Sequence, residues 1–527
     1  MNSMGTHPFY PHLIVLGFTL GAAAFRWRAW RRRVHDKRKA LIQRHAEAVD
    51  EKSATANKRI VGFFHPYCNA GGGGEVVLWT AVAYLQRTEP DVICAIYTGD
   101  KDATKDQILA KAKARFDIDV SPHNLEFIWL NNRKQVDAAT WPRFTLIGQS
   151  IGSVVLALEA VDALVPDIYI DTMGYAFTFN LIAGLSRIFT RIPAGAYIHY
   201  PTISTDMLER VKSRKAGHTN EDAVAKSRWK STAKLVYYHI FALLYSFSLF
   251  QADAVIVNSS WTGAHIDSLV ALALSVASKV INLGILEQEG VPVVYPPCDT
   301  SKLKDFPLEG REKVVLSVAQ FRPEKEHATQ VQALHLFLEE HPQFQSGPDK
   351  LRLVLIGGCR TVEDEARVEK VRELVQELHL EDNVEFVVNA PYDVLLDWLS
   401  RASVGISTMV DEHFGINVVE YMAAGLIPLV HASGGPLKDI VTPFTPPDSS
   451  SIEPGLTGFH ATTTETYASM LDNIFVQLPD SELLAIRGRA RLSAERFSRA
   501  QFEEGWAAFW KRLSWLPQDH SPRRRRC

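Results

Sequence analysis

Twice in this chain a short apolar strand runs into a tight loop, and the loop into a helix. Each time, strands and helices then go on alternating for about a domain's length. The first such unit is the run at 60–64, the loop HPYCNAGGGGE and the helical VVLWTAVAYLQ. The second is the run at 313–318, the loop AQFRPEK and the helical stretch 328–340. Strands separated by helices must lie parallel, because only a long crossover returns the chain to the same edge. A parallel sheet covered by helices binds ligands beyond the carboxyl ends of its strands, and a glycine loop opening a helix offers free N–H groups to an anion. Two such halves predict a ligand held between them. The first loop is neither GxGxxG nor a P-loop ending in Gly-Lys-Ser/Thr, so a dinucleotide site is the weaker reading. The plain alternative is a flexible turn, although four consecutive glycines carry an entropic cost.

The alternation sets the expected boundaries. In the first half, 92–97, 125–130, 144–148, 168–171, 195–199 and 253–258 read as strands, and Ser259-Ser260-Trp261-Thr262 caps the next helix. His199 ends its strand, where either a site residue or a satisfied buried histidine belongs. The segment 291–298 (VPVVYPPC) reads as the link between halves. In the second half, 351–357, 384–388, 404–407 and 426–431 read as strands, with helices at 363–378 and 392–400. An amphipathic, aromatic helix at 494–513 is expected to pack back on the first half. The expected domains are thus 59–298 and 299–493, followed by a returning helix at 494–515.

Composition bears on compartment. Residues 7–25 contain no Asp, Glu, Lys or Arg and are followed at once by RWRAWRRR. About 20 apolar residues can span a bilayer, and the arginines should stay cytosolic. A cleaved signal peptide would carry its charges before the apolar run, not after it. An uncleaved anchor over 1–33 is therefore expected, with a polar, helix-prone linker over 34–58. The lysine-rich 212–234 precedes the apolar, aromatic 235–250, which fits either a segment in the membrane interface or a buried core helix. The basic tail at 516–527 reads as a solvated end or a contact for anionic lipid. The net charge of −3 makes no case for nucleic acid. Five scattered cysteines without CxxC fit a reducing compartment and argue against a zinc or disulfide framework.

The chemistry concentrates in DEHFGINVVEYMAAG, 411–425, where seven residues separate Glu412 from Glu420. Gly415 stands where a helix begins, Gly425 where it stops, and Ser433-Gly434-Gly435-Pro436 forms a second tight loop after the next strand. A loop carboxylate, a phosphate-ready helix start and a helical carboxylate can hold the parts of a nucleotide sugar. An ordinary αβ unit with two incidental glutamates accounts for the spacing equally well.

Together these motifs resemble the large family of retaining glycosyltransferases with the GT-B fold. Glu412 to Glu420 resembles its Glu-x7-Glu signature, Pro323-Glu324-Lys325 its Pro-x-Lys, Gly72-Gly73-Gly74-Glu75 its N-terminal glycine loop, and Ser433 to Pro436 its later one. The resemblance covers about 59–515 and implies an α/β fold of two Rossmann-like domains facing a cleft, here with an N-terminal membrane anchor helix. The wording of HPYCNAGGGGEVVLW, AYIHYPTIS, AQFRPEKEH and DEHFGINVVEYMAAGLIPLVHASGGP is similar to that of members acting on lipid-linked oligosaccharides. That similarity implies GDP-mannose as donor and a dolichol-pyrophosphate-linked oligosaccharide as acceptor. It further implies α-1,2 linkages, no metal or cofactor, and a place on the cytosolic side of the endoplasmic reticulum membrane, in a possible complex with other early mannosyltransferases.

Residue by residue, the resemblance gives Glu412 a contact with the transferred sugar near its reacting carbon, and Glu420 the ribose hydroxyls. Backbone amides at Phe414, Gly415 and Ile416 would meet the diphosphate, Lys325 would neutralise it, and Gly72 and Gly73 would let backbone approach it. His199 resembles the histidine near donor sugar and acceptor. The family's arginine five residues before the lysine is Gln320 here, so Arg322 is the candidate replacement. The implied reaction is a front-face substitution with retained configuration, in which a leaving phosphate oxygen takes the acceptor proton. The rivals are a transferase using another nucleotide sugar or lipid, and a non-catalytic membrane-tethered binding protein.

Overall fold

The computed structural model describes residues 10–47, 58–188, 191–213, 228–281, 290–359, 361–447 and 453–516. The expected basic tail lies outside them except for residue 516. Two six-stranded parallel sheets form the body. The first has the order β3-β2-β1-β4-β5-β6, with β1 Arg59–Phe64, β2 Val92–Thr98, β3 Leu125–Trp129, β4 Ile168–Asp171, β5 Ala194–Ile198 and β6 Ala254–Val257. The second has the order β12-β11-β10-β7-β8-β9, with β7 Glu312–Val318, β8 Arg352–Gly357, β9 Val384–Val388, β10 Ala402–Ser407, β11 Ile427–His431 and β12 Phe459–Ala461. Every pairing is parallel. Central strands such as β2 are buried along their whole length, as sheets covered on both faces require.

In the first half the helices are α1 Tyr10–Glu47, α2 Gly73–Thr88, α3 Lys105–Phe116, α4 Thr145–Ala163, α5 Thr178–Ile188, α6 Thr205–Lys212, α7 Arg228–Leu249 and α8 Ser260–Ile281. In the second they are α9 His327–Glu340, α10 Val362–Glu377, α11 Tyr392–Arg401, α12 Ile416–Ala424, α13 Thr464–Asp472 and α14 Asp480–Ala494. The last helix, α15 Arg499–Ser514, returns to the first half.

Three expectations need revising, and a fourth segment shows both of the faces read for it. The run at 144–148 is not a strand but the beginning of α4. Its buried Gly148, Gly152, Leu156 and Ala160 recur every four residues, a helical period that a five-residue apolar window cannot reveal. The linker at 34–58 is, as far as Glu47, the second half of α1, bound to the sheet's lower edge. Val34 and Leu41 are buried, Trp30 Nε1 donates to Asp162 at 2.7 Å, and Arg38 pairs with Asp167 at 2.6 Å. The tail helix is broken by a 3₁₀ turn, Glu495–Phe497, so its second part starts at Arg499. The segment at 235–250 is the main part of α7. Tyr238, Phe241, Ala242 and Tyr245 are in the core, while Val236, Ile240, Leu244 and Phe247 are exposed.

Two of the ties between the halves are buried. Phe502, Trp506, Phe509, Trp510 and Leu513 of α15 join the core beneath Val61, Phe63 and Ile96 of the first sheet. Buried Asp439 of the second half accepts from Ser260 N at 3.1 Å, from Tyr295 Oη at 3.0 Å and from Ser260 Oγ.

Candidate active site

The strand-end loops of both sheets face one another across a cavity of about 400 Å³. The first half contributes Gly73 and Gly74 from the start of α2, His199 after β5 and Asn258 after β6. The second half contributes Gln320 and Lys325 after β7, Glu412 to Gly415 before α12, and Ile416 and Asn417 on its first turn.

Each loop is fixed by local chemistry. Gly415, the N-cap of α12, has φ 108°, where a side chain would be strained, and with Ile416 and Asn417 it brings the start of the helix to the cavity wall. The second glycine loop buttresses Glu412 from behind. Gly435 N donates to the Glu412 carbonyl at 2.8 Å, and Ser433 Oγ accepts from Asp411 N at 2.7 Å. Gly434 has φ 65°, and a Cβ there would stand 2.2 Å from that same carbonyl. Across the cavity, the N–H of Gly72, the N-cap of α2, donates to the Glu75 carboxylate, the one half of a capping box that a glycine can make. Burial works to raise the Glu75 carboxyl, but His65 and the Gly72 N–H outweigh it and hold the group below the usual carboxylate range.

Lys325 and Glu412 meet directly as an ion pair, with side chains 20% and 14% exposed. Such a pair presents one cation to an incoming anion while keeping its carboxylate oriented. The Lys325 carbonyl is held by Thr408 Oγ1 at 2.8 Å, and Thr408 Oγ1 in turn accepts from Gln330 Nε2 at 2.9 Å. His199 Nε2 is buried with no hydrogen-bond partner among the described residues, close under Gly74. Burial, aided by neighbouring His65, pushes its pKa down to about 4, so the ring is neutral at physiological pH. Glu420 stands in the middle of α12, behind the cavity-facing start of that helix. Its carboxyl is pushed up to about 7 by burial and by Asp299, with Arg115 opposing.

The structure thus brings together Gly73, His199, Lys325, Glu412, Phe414, Gly415 and Ile416. Gly72 stands just behind as the helix cap, and Glu420 lies further along α12. Arg322 is exposed and does not line the cavity, whereas Gln320 does. Sequence reasoning missed the ring stack across the cleft: His413 lies 3.9 Å from Tyr200 at 13° and 5.5 Å from Trp261 at 13°. It also missed Asn258 and Asn417. Asn258 was signalled only by its place directly after a buried strand, and Asn417 Nδ2 donates to the Val318 carbonyl at 3.1 Å. Among the described residues no group of three or more His, Cys, Asp or Glu is placed to hold a metal ion.

Residues 58–270 match the family model described as ALG11 mannosyltransferase N-terminus, and residues 299–465 match that of Glycosyl transferases group 1. The chain is similar to the GDP-Man:Man(3)GlcNAc(2)-PP-Dol alpha-1,2-mannosyltransferase of Xenopus laevis, at 46% identity over 86% of this chain and 87% of that protein. It is 43% identical to the Homo sapiens protein of the same name, over 88% of this chain and 89% of that one. Among solved structures it resembles Anabaena Alr3699/HepE in complex with UDP and glucose, with a TM-score of 0.55 at 15% identity, covering 86% of this chain and all (100%) of that one. It also resembles the alpha,alpha-trehalose 6-phosphate synthase from Burkholderia multivorans, with a TM-score of 0.58 at 12% identity, over 87% and 99% of the two chains. At these identities the structural likeness shows the fold, two facing Rossmann-like domains of the GT-B type.

Proposed function

The chain belongs to the family of GDP-Man:Man(3)GlcNAc(2)-PP-Dol alpha-1,2-mannosyltransferases, and from that premise we propose how it works. It is a GDP-mannose-dependent glycosyltransferase that makes α-1,2 linkages on a dolichol-pyrophosphate oligosaccharide carrying three mannoses. In the finer reading it adds the fourth and fifth mannoses, with retention of configuration, from the cytosolic side of the endoplasmic reticulum membrane, where α1 anchors it. A complex with other early mannosyltransferases is compatible with that place.

The observation that carries the assignment of roles is the single cavity into which Lys325, Glu412 and the start of α12 converge opposite the Gly73–Gly74 loop and His199. A nucleotide-sugar diphosphate between the halves meets Lys325 and the free N–H groups of α12. Such donors stabilise the charge that develops on the leaving phosphate without reorganising. Glu412, released from Lys325 as the diphosphate takes that cation, faces the transferred sugar. Glu420 takes the ribose hydroxyls. Neutral His199 supplies a hydrogen bond rather than a charge to the sugar or acceptor. The residues mainly position reactants and balance charge, and a leaving phosphate oxygen takes the acceptor proton. Lys325 and the amides at the start of α12 are the groups that face the diphosphate, and we propose that they serve it without a metal; transfer should be unchanged by EDTA.

The test is a mass-spectrometric transfer assay with the purified protein and a lipid-pyrophosphate acceptor bearing the trimannosyl core. A gain of two hexoses with GDP-mannose, but not UDP-glucose or UDP-N-acetylglucosamine, and its removal by an α-1,2-mannosidase, is the expected result. A gain from another donor would overturn the donor assignment.

A further inference from the structure

Helices α4 and α7 carry matching apolar stripes on their outer faces. On α4 these are Ile147, Ile151, Val155 and Leu158, between 39% and 55% exposed. On α7 they are Val236, Ile240, Leu244 and Phe247, between 41% and 55% exposed. Both sets recur at the same spacing of four, four and three residues, which lays each along one line of a helix. A solvated helix places charges on such a line. Here residues 235–250 contain no Asp, Glu, Lys or Arg and a single histidine, His239, and 145–163 contain only Glu159 and Asp162 as charged residues. Both acids are engaged elsewhere, Glu159 by Asn131 and Asn132 and Asp162 by Trp30.

The stripes belong to one face. The inner sides of α4, α5 and α7 share a single core beneath the first sheet. At the strand-carboxyl end, where the cleft lies, the rings of Phe144 and Tyr237 meet at 5.9 Å. At the opposite end α4 runs into α1 through Asp162, and the residue pair just beyond α5 and α7, Arg191 and Asp253, closes at 2.9 Å. There a second and larger cavity, about 670 Å³, is lined by Arg28, Arg31, Arg32, His35, Arg38 and Arg191, against the carboxylates of Asp36 and Asp167 only. The face therefore carries apolar stripes above and an excess of cations at its foot, beside the helix read as the anchor.

α4 is long and apolar enough to cross a membrane, yet its packing shows that it lies along the domain. A Cβ on Gly152 would come within 2.0 Å of the Gln135 carbonyl, and Leu156, Ala157 and Ala160 are in the core. Pulling the helix out to span a bilayer would dismantle that core.

We propose that this face rests on an anionic phospholipid leaflet. The stripes of α4 and α7 sink into the acyl boundary, and the arginines of α1 at the foot of that face meet phosphate headgroups. The stripes lead from the anchor to the rim of the cleft, so a lipid-linked acceptor reaches the cavity without leaving the leaflet. This inference rests on the acceptor being lipid-linked, as proposed above.

The test uses the full chain in vesicles of phosphatidylcholine and phosphatidylserine, with Cys359 and Cys527 replaced by serine. Nitroxide labels are placed at Ile151→Cys, Ile240→Cys and, as a control on the second half, Leu492→Cys. The first two labels should collide with oxygen and be shielded from a water-soluble nickel chelate, and the control should show the reverse. Labels at 151 and 240 that the nickel chelate reaches as readily as the control would overturn the proposal. So would labels shielded from both reagents, which would mean that a second copy or another protein covers the face. In parallel, Ile151→Glu with Ile240→Glu should lower transfer to a long-chain polyprenyl acceptor in vesicles about tenfold or more, because the tethered concentration of oriented enzyme falls. Transfer to a water-soluble short-chain acceptor should stay at the wild-type rate, and equal rates on both acceptors would count against the face. If the wild type itself fails on the short-chain acceptor, the mannosyl-transfer reading is at fault, and the labels still decide where the leaflet lies. Arg28→Ala with Arg32→Ala should abolish any gain in rate that phosphatidylserine gives over phosphatidylcholine alone.

Discussion

Glu420 ionises near neutrality because burial and the nearby carboxylate of Asp299 both oppose its charge, while Arg115 only partly offsets them. Cys298 and Tyr392 also feel its charge. In the role proposed for Glu420, ribose hydroxyls donate to the carboxylate, which favours the deprotonated form for donor binding. GDP-mannose affinity should therefore weaken as pH falls below about 7, by at most about tenfold per pH unit, and Glu420→Gln should flatten the profile measured by calorimetry. The stability effect runs the other way. A carboxyl raised from 4.5 to about 7 contributes fully below 4.5 and loses that contribution as pH rises through 7, so the Tm difference between Glu420→Gln and wild type should grow in the variant's favour across that window. Lys325→Ala removes the cavity's cation and strands the Glu412 carboxylate. Its kcat/KM for GDP-mannose should fall about 10²–10³-fold, whereas exposed Arg322→Ala should change it far less. Comparable losses in the two variants would restore Arg322 to the diphosphate site.

At the scale of elements, the loop of Gly434 and Gly435 acts through backbone on Glu412. Gly434→Ala must move the Glu412 carbonyl or the loop, since its Cβ would come within 2.2 Å in a left-handed conformation. We expect transfer to be lost while far-UV circular dichroism stays unchanged, and normal turnover would show that the loop does not position Glu412. Most of this architecture could be read from the sequence, because strand, glycine loop and helix follow one another with local signals. Gly415 and Gly425 bracket α12 as a helix start and stop demand, and Ser259 caps α8 with its hydroxyl on Thr262 N at 3.1 Å. What could not be read depends on contacts distant in sequence. The start of α4 is capped by Phe144 in a left-handed conformation instead of by a polar side chain, so no local signal separated it from a strand. The stack of His413 on Tyr200 joins residues from different halves, and no spacing along the chain encodes it. The unequal fates of Gln320 and Arg322 turn on how the 3₁₀ turn Pro323–Lys325 aims the loop, which side-chain identity alone does not reveal.

At the scale of the whole molecule, the two halves are held at a working distance by α15 and by the Asp439 cluster. Trp506 is fully buried against Phe63 and Phe502, so Trp506→Ala should cost about 3–5 kcal/mol and lower the Tm, with the loss read by calorimetry. An unchanged Tm would mean that α15 docks without stabilising. Because α1 packs from Trp27 onward, removing residues 1–24 should loosen membrane attachment and leave transfer in detergent intact, while removing 1–33 should also destabilise the first half by exposing Asp162. The central claim is that one cavity, built from both halves, holds the nucleotide sugar with Glu412 at the sugar and the diphosphate on Lys325 and α12. The most direct measurement pairs calorimetric binding of GDP with mannose transfer for Glu412→Gln. GDP affinity within about threefold of wild type, with transfer down about 10³-fold or more, is the predicted result. Wild-type turnover by that variant would contradict the account.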